Sequence, residues 1–331
     1  MNKTLRIKVN VQRESWPIAG SFAISRGSKT QADVIVVELW DGTSRGRGEC
    51  VPYARYGESL DGVASAIEAV APALSQGLDR AGLQAAMPPG AARNAIDCAL
   101  WDIEAKRGNT SAFALAGLPP SHPLLTAYTI SIGAPEEMAR AATAARRRPL
   151  LKIKLGSLGD PARIAAVRNA APDAELIVDA NEGWDAGNIA ENFAACAAAG
   201  VTLIEQPLPA NHDALLASIA RSIPLCADES VHGTASLRNF IGKYDMVNIK
   251  LDKTGGLTEA LAMADAAQAM GFGIMAGSMV ATSLAMAPAV LLAQKARVVD
   301  LDGPLLLVKD RIDGLRYDGS TIYPPTSALW G

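Results

Sequence analysis

Between residues 124 and 303, short apolar runs alternate with alanine-rich stretches. The runs read as strands over residues 127–132, 151–155, 176–179, 203–205, 225–227, 246–249, 273–276 and 298–301. The stretches between them carry helical spacing, including residues 161–170, 186–199, 212–220 and 257–269. Buried strands separated by helices predict a parallel sheet, and eight of them predict a barrel rather than an open sheet. The first 123 residues follow another rhythm. Leu5, Ile7 and Val9 alternate, as do residues 34–39, with a polar, glycine-containing break over residues 25–31. Helical patterns follow over 59–75 and 90–107. From Pro304 the chain is again short and strand-like, which predicts a return to the first segment. The expected organisation is a barrel over residues 124–303 and a smaller domain built from residues 1–123 and 304–331.

Charges end several of the barrel runs. Lys154, Asp179, Glu205, Asp228 and Lys250 follow one another at steps of about 25 residues, the length of one strand–helix unit. A charge that ends a buried run lies at the C-terminal mouth of its strand, where barrel active sites are built. A single acid there is more often a helix cap or an ion-pair partner. Three at regular spacing, bracketed by lysines, point to a converging set of metal ligands. Asp179, Glu205 and Asp228 offer hard oxygen donors with no thiolate or imidazole, which suits Mg²⁺, with Mn²⁺ as an alternative. Such an ion leaves room for a substrate carboxylate and takes up charge as the neighbouring carbon loses its proton to give an ene-diolate. Lys154 and Lys250, on opposite sides of the barrel, suit removal of a proton from one face and its return to the other, which is epimerisation or racemisation. A lysine base needs a pKa below the usual value of about 10. Lys152, on the same side of the strand as Lys154, and the metal would lower it. Asn181 and Gln206 are expected to hydrogen-bond the ligands. Lys253 lies in a predicted loop and fits a solvated surface charge as well as a site cation.

Composition excludes several alternatives. With 331 residues, 49% of them apolar, the chain is long enough for a barrel plus a smaller domain. A net charge of −3 offers no basic face to nucleic acid. No run is long and apolar enough to span a membrane, and the start lacks the apolar core of a signal peptide. The four cysteines have no metal-ligand spacing and read as reduced thiols of a cytoplasmic protein. The three histidines show no paired spacing, so a zinc site is not expected.

The pieces Lys152-Ile153-Lys154, Val178-Asp179-Ala180-Asn181, Glu205-Gln206-Pro207, Ala227-Asp228-Glu229-Ser230 and Asn248-Ile249-Lys250 resemble the enolase superfamily, muconate-lactonizing-enzyme subgroup. Asp300-Leu301-Asp302-Gly303-Pro304 looks like the Asp-x-Asp element of the dipeptide epimerases, and residues 90–102 and 248–260 are similar to that group as well. The resemblance covers nearly the whole chain. It implies an α+β capping domain from both termini over a modified (β/α)₇β barrel. It also implies Mg²⁺-dependent epimerisation of the C-terminal residue of a dipeptide, L-Ala-D/L-Glu first among them, derived from murein. In this reading Lys154 serves the (R)-configured α-carbon and Lys250 the (S)-configured one.

Asp300 and Asp302 also make sense without the resemblance. They face the same side of the eighth strand, and two carboxylates there call for a cation such as the free ammonium of a dipeptide. In the family, loops of the capping domain reach over the barrel mouth. Arg26 lies in such a stretch and is the expected partner of a glutamate side chain, with Lys29 and Arg55 as alternatives. Thr129 and Ser278 match family positions near the substrate, and Lys152 is counted among the substrate-contacting groups. The run Ala276-Gly277-Ser278-Met279 is read as a substrate-lining loop in preference to a phosphate-binding turn. Rival readings are o-succinylbenzoate synthase, a cycloisomerase, an N-acylamino-acid racemase, and a non-catalytic, metal-stabilised peptide-binding protein. The aspartate pair speaks against the first three, whose substrates carry no ammonium. The two inward lysines speak against the last. Self-association and the range of dipeptides stay open.

Overall fold

The computed structural model describes residues 7–156 and 158–331; Leu5 lies outside them. The chain begins with a long antiparallel hairpin, β1 (Lys8–Ile24) and β2 (Gly27–Trp40), and β3 (Arg45–Cys50) pairs on the other side of β2. Three helices follow: α1 (Leu60–Ser75), α2 (Arg80–Ala86) and α3 (Ala91–Arg107). Ser59 and Asp79 cap the first two, accepting hydrogen bonds from Gly62 N and Gly82 N. Ile35, Val37 and Leu39 alternate inward from β2 and pack with Ile67, Ile96 and Ile103. The polar break expected over residues 25–31 is much shorter. Only Ser25 and Arg26 form the turn, and β2 already begins at Gly27. The tip carries no apolar alternation because ladder hydrogen bonds hold it and residues 26–31 are exposed there.

After the short α4 (Ala112–Leu115) and β4 (Leu124–Leu125), the barrel strands and helices are β5 (Tyr128–Ile130), α5 (Pro135–Ala145), β6 (Leu150–Lys154), α6 (Asp160–Ala170), β7 (Glu175–Asp179), α7 (Ile189–Ala198) and β8 (Val201–Glu205). They continue with β9 (Leu225–Ala227), β10 (Met246–Ile249), α8 (Leu251–Thr254), α9 (Leu257–Ala269), β11 (Gly273–Gly277), α10 (Ser283–Ala293) and β12 (Val298–Asp300). Neighbours pair in parallel from β5 to β12 in chain order. Ala127 N donates to Val299 O at 2.8 Å, which links the last strand to the first. The helix expected over residues 212–220 is a single 3₁₀ turn, Ala214–Ala217. The Asp213 side chain is drawn into hydrogen bonds with Ser230, Lys243 and Tyr244, and Pro224 follows closely.

The end of the chain forms α11 (Gly303–Leu306) and the two-residue strands β13 (Tyr317–Asp318) and β14 (Thr321–Ile322), with β14 pairing β4. It also returns to the N-terminal layer. Leu307 bridges Ile18, Trp330 Nε1 donates to Cys98 O, and Gly331 N donates to Asp102.

The barrel interior positions the site. Ala127, Leu150, Ile177, Leu203, Cys226, Met246 and Met275 form an apolar floor, one residue from each successive strand position. Side chains two residues further along a strand point to the same face. The next layer toward the mouth is therefore Thr129, Lys152, Asp179, Glu205, Asp228, Asn248 and Gly277, with Asp300 two residues beyond the floor-packing Val298. Lys154, Lys250 and Asp302 stand one step higher still.

Candidate active site

Asp179, Glu205 and Asp228 are buried, and one carboxylate oxygen from each lies within 4.8 Å of the others. Lysines surround them. Lys154 Nζ is 2.6 Å from Asp179 Oδ2, and Lys250 Nζ is 2.7 Å from Asp228 Oδ2. Lys253 Nζ donates to Asp228 Oδ1 and Asp228 O, both at 2.6 Å, and to Asn248 O at 3.0 Å. Asn248 Nδ2 donates to Glu205 Oε1 at 2.7 Å, and Asn181 N donates to Asp179 Oδ1 at 2.9 Å. Gln206 Oε1 accepts from the backbone N–H of Asp228 and Ser230, which fixes the end of β9. Asn181, Glu182 and Gln206 hold positive φ at the mouths of β7 and β8, a cost that the surrounding hydrogen bonds must offset.

The donor set fits a hard divalent cation. Several buried acceptors here lack a hydrogen-bond donor: Asn181 Oδ1, Glu205 Oε2, Glu229 Oε2, Asn248 Oδ1 and Asp300 Oδ1. Glu205 Oε2 lies 2.6 Å from Lys152 Nζ, but the approach lacks hydrogen-bond alignment. Buried oxygens without donors match an electropositive occupant.

Proton affinities follow from the crowding. Burial raises Asp179, but Lys154 and Lys152 outweigh it and hold the carboxyl at about 2. Burial and Asp179 together push Glu205 up to about 7 against the pull of Lys152. Burial works against the charged form of Lys250, yet Asp228 and Glu205 prevail and raise it. The Asp228 carboxylate is its direct partner, at 2.7 Å.

Above the carboxylates opens a cavity of about 500 Å³ between the barrel mouth and the β1–β2 hairpin. Lys154, Lys250, Asp300, Asp302, Thr129, Ser278, Asn181 and Arg26 all border it. Asp302 Oδ2 accepts from Thr129 N at 2.7 Å, and the Ser278 hydroxyl donates to Asp300 O at 3.3 Å. Burial and the nearby Asp300 raise Asp302 to about 7. Lys152, expected to touch substrate, does not border the cavity. It is 0% exposed, and its ammonium spans Glu205, Asp300 and Asp179 at 2.6, 2.7 and 3.2 Å. Its place on the strand, one step below Lys154, makes it a counter-ion beneath the site. Gln206, expected to hydrogen-bond the ligands, does not border the cavity either.

Arg26, at the tip of the hairpin, leans down onto the barrel. It donates to Glu229 Oε1 at 2.7 Å, Asn181 O at 2.8 Å and Glu182 Oε2 at 3.2 Å. Arg55 takes both oxygens of Glu182, and Lys29 stands over the Tyr53 ring. Sequence reasoning missed Glu229 and Asn248. Each had a signal: Glu229 follows Asp228 directly, and Asn248 precedes Lys250 by two on the inward face. Tyr56 and Phe22 had none, because only the docking of the N-terminal layer brings them to the cavity. Lys253 proves fully enclosed in α8 rather than solvated.

The chain matches two family models. Residues 136–325 match "Enolase C-terminal domain-like", and residues 6–117 match "Mandelate racemase / muconate lactonizing enzyme, N-terminal domain". It is 47% identical over 311 residues to the L-Ala-D/L-Glu epimerase of Escherichia coli, covering 93% of this chain and 97% of that one. It is also 47% identical over 300 residues to the N-acetyl-D-glutamate racemase of a Pseudoalteromonas species, covering 90% and 95%. A crystal structure of an Agrobacterium tumefaciens enolase family member with homology to dipeptide epimerases, solved with bound sodium and L-Ala-L-Glu, superposes with a TM-score of 0.97. That structure is 53% identical and covers 98% of this chain and 100% of its own.

Proposed function

Because the chain belongs to the enolase superfamily, in its mandelate racemase and muconate lactonizing enzyme group, we propose that it is an isomerase that epimerises the C-terminal residue of dipeptides, with L-Ala-D/L-Glu as substrate. The observation that carries this reading is the placement of two lysines, Lys154 on β6 and Lys250 after β10, on opposite sides of one carboxylate cluster in the cavity that also holds Asp300 and Asp302. Asp179, Glu205 and Asp228 would hold one Mg²⁺ per chain, or Mn²⁺ in its place. That ion would neutralise the substrate carboxylate and the charge that develops on it. With its carboxylate committed there, Asp228 would no longer favour the charged form of Lys250.

The protein's own groups do the rest. Neutral Lys250 takes the α-proton of the (S)-configured residue, and the electron pair moves into the carboxylate to give an ene-diolate. Protonated Lys154 gives a proton to the opposite face, forming the (R) epimer. The reverse reaction exchanges the two roles. Asp300 and Asp302 bind the ammonium of the first residue, and Thr129 and Ser278 hold that pair in place. Arg26 reads the glutamate side chain with a planar fork that suits a carboxylate. Asn181 and Gln206 orient the ligands.

The Pseudoalteromonas relative favours a second reading, racemisation of an N-acylated glutamate, at equal identity. The aspartate pair weighs against it, since an N-acyl group carries no charge for two carboxylates. Murein-derived peptide as the source of substrate and a cytoplasmic setting belong to the same proposal, the latter supported by four free, buried cysteines. No described helix is long and apolar enough to cross a membrane. The test is incubation of L-Ala-L-Glu, other dipeptides and N-acetylglutamate in D₂O with mass spectrometric detection. The reading expects α-deuteration and inversion of Ala-Glu, and absence of exchange in every dipeptide would overturn it.

A further inference from the structure

Lys250 is held differently from Lys154. Lys154 ends a strand paired on both sides, by β5 and β7. Lys250 stands at the N-terminus of α8, four residues that are too few to hold a helix by themselves. Helix α3 of the N-terminal layer supplies what the turn lacks. Arg93, 6% exposed, donates from Nη2 to Thr254 O at 2.6 Å and from Nε to Gly255 O at 3.0 Å. Asn94 Nδ2 donates to Asp252 Oδ1 at 2.8 Å. The approach is close enough to dictate residue type. Gly255 and Gly256 have φ of +75° and +120°, and a Cβ on them would lie 2.6 Å from Arg93 Nε and 2.5 Å from the Asp97 side chain. Among the described residues, no hydrogen bond or ion pair joins α3 to β6.

We infer that Arg93 and Asn94 are positioning residues for Lys250, so that helix α3 supports one of the two proton-transfer faces and not the other. This rests on the two-lysine reading above. Both residues act through the α8 backbone and Asp252. Neither borders the cavity, so substrate binding should be untouched.

The test uses deuterium exchange without inversion, which each lysine performs alone. In D₂O at early times, label in recovered L-Ala-L-Glu reports Lys250, and label in recovered L-Ala-D-Glu reports Lys154. The ratio of the two rates cancels the amount of folded enzyme, because both faces lie in one site. Asn94→Ala frees Asp252 from its α3 partner. Arg93→Lys keeps the charge but loses the fork that serves two carbonyls. Each is expected to lower the L-to-D exchange ratio roughly tenfold or more, since small displacements of a catalytic group are costly. KM should stay near that of the unaltered protein. A ratio within about twofold of the unaltered protein in both variants would overturn the inference and leave α3 a structural support only. If the unaltered protein exchanged only one epimer, the two-lysine reading itself would fall, and the inference with it.

Discussion

Asp302→Asn isolates the recognition of the substrate ammonium. The two aspartates are not equivalent. Asp300 already has a cation, Lys152 Nζ at 2.7 Å, whereas no ion pair to Asp302 is found among the described residues. Asp302 is 5% exposed, and its Oδ2 accepts from Thr129 N. An asparagine oxygen can keep that hydrogen bond, so the substitution removes charge and little else. Losing one partner of a desolvated charge pair costs about 2–5 kcal/mol. At about 1.4 kcal/mol per factor of ten, kcat/KM for L-Ala-L-Glu should fall roughly 30-fold to several thousand-fold. Polarimetry of the epimerisation gives this number directly. The same series should be run with N-acetyl-L-Ala-L-Glu. Acetylation removes the charge that Asp302 reads, so it should harm the unaltered protein far more than the variant. In the unaltered protein, kcat/KM for the free dipeptide should rise with pH through about 7, because burial and Asp300 hold Asp302 protonated below that point. Equal turnover of the acetylated and free dipeptides by the unaltered protein would refute ammonium recognition and make the N-acylamino-acid racemase the better reading.

Chelation should abolish epimerisation and Mg²⁺ should restore it. Metal affinity, measured by calorimetry, should increase as pH rises through about 7, with proton release, because Glu205 must give up its proton to bind. Folding stability without metal moves the other way. Glu205, Asp252 and Asp302 are raised to about 7, so their contribution is present below the ordinary carboxylate range and is lost as pH rises through about 7. Thermal unfolding of the metal-free protein across that range should show the loss, and a flat profile would contradict it. Lys154→Ala should stop epimerisation in both directions yet leave deuterium exchange of L-Ala-L-Glu through Lys250; inversion at the unaltered rate would exclude a two-base mechanism. Arg26→Lys keeps a cation against Glu229 but loses the planar fork, so kcat/KM should drop roughly tenfold for Ala-Glu and little for dipeptides with a neutral second residue. Equal losses for both substrate types would place the specificity elsewhere, with Lys29 and Arg55 next in line.

The barrel and its charged layer were legible because strand periodicity is local. Leu203 and Glu205, or Met246, Asn248 and Lys250, share a face by the two-residue repeat alone, so an apolar floor under a charged mouth follows from order in the chain. Unit spacing then brings Asp179, Glu205 and Asp228 onto neighbouring strands. Local pattern did not determine which charge faces which. Lys152 and Lys154 share a side of β6, yet one is sealed beneath the carboxylates and the other borders the cavity, a difference set by depth in the barrel. The pKa of Lys250 likewise depends on its contact with Asp228, which no sequence separation encodes. Lys253, read as a loop charge, is enclosed because α3 packs against its turn. The hairpin tip was mistaken for a loop because it is held by backbone pairing, which leaves no hydrophobic signature. Sequence alone thus determined the lysines and the three clustered carboxylates and the strand whose end carries each. Depth, pairing and the docking of the N-terminal layer arise from contacts between residues far apart in the chain, and only the tertiary structure decided them.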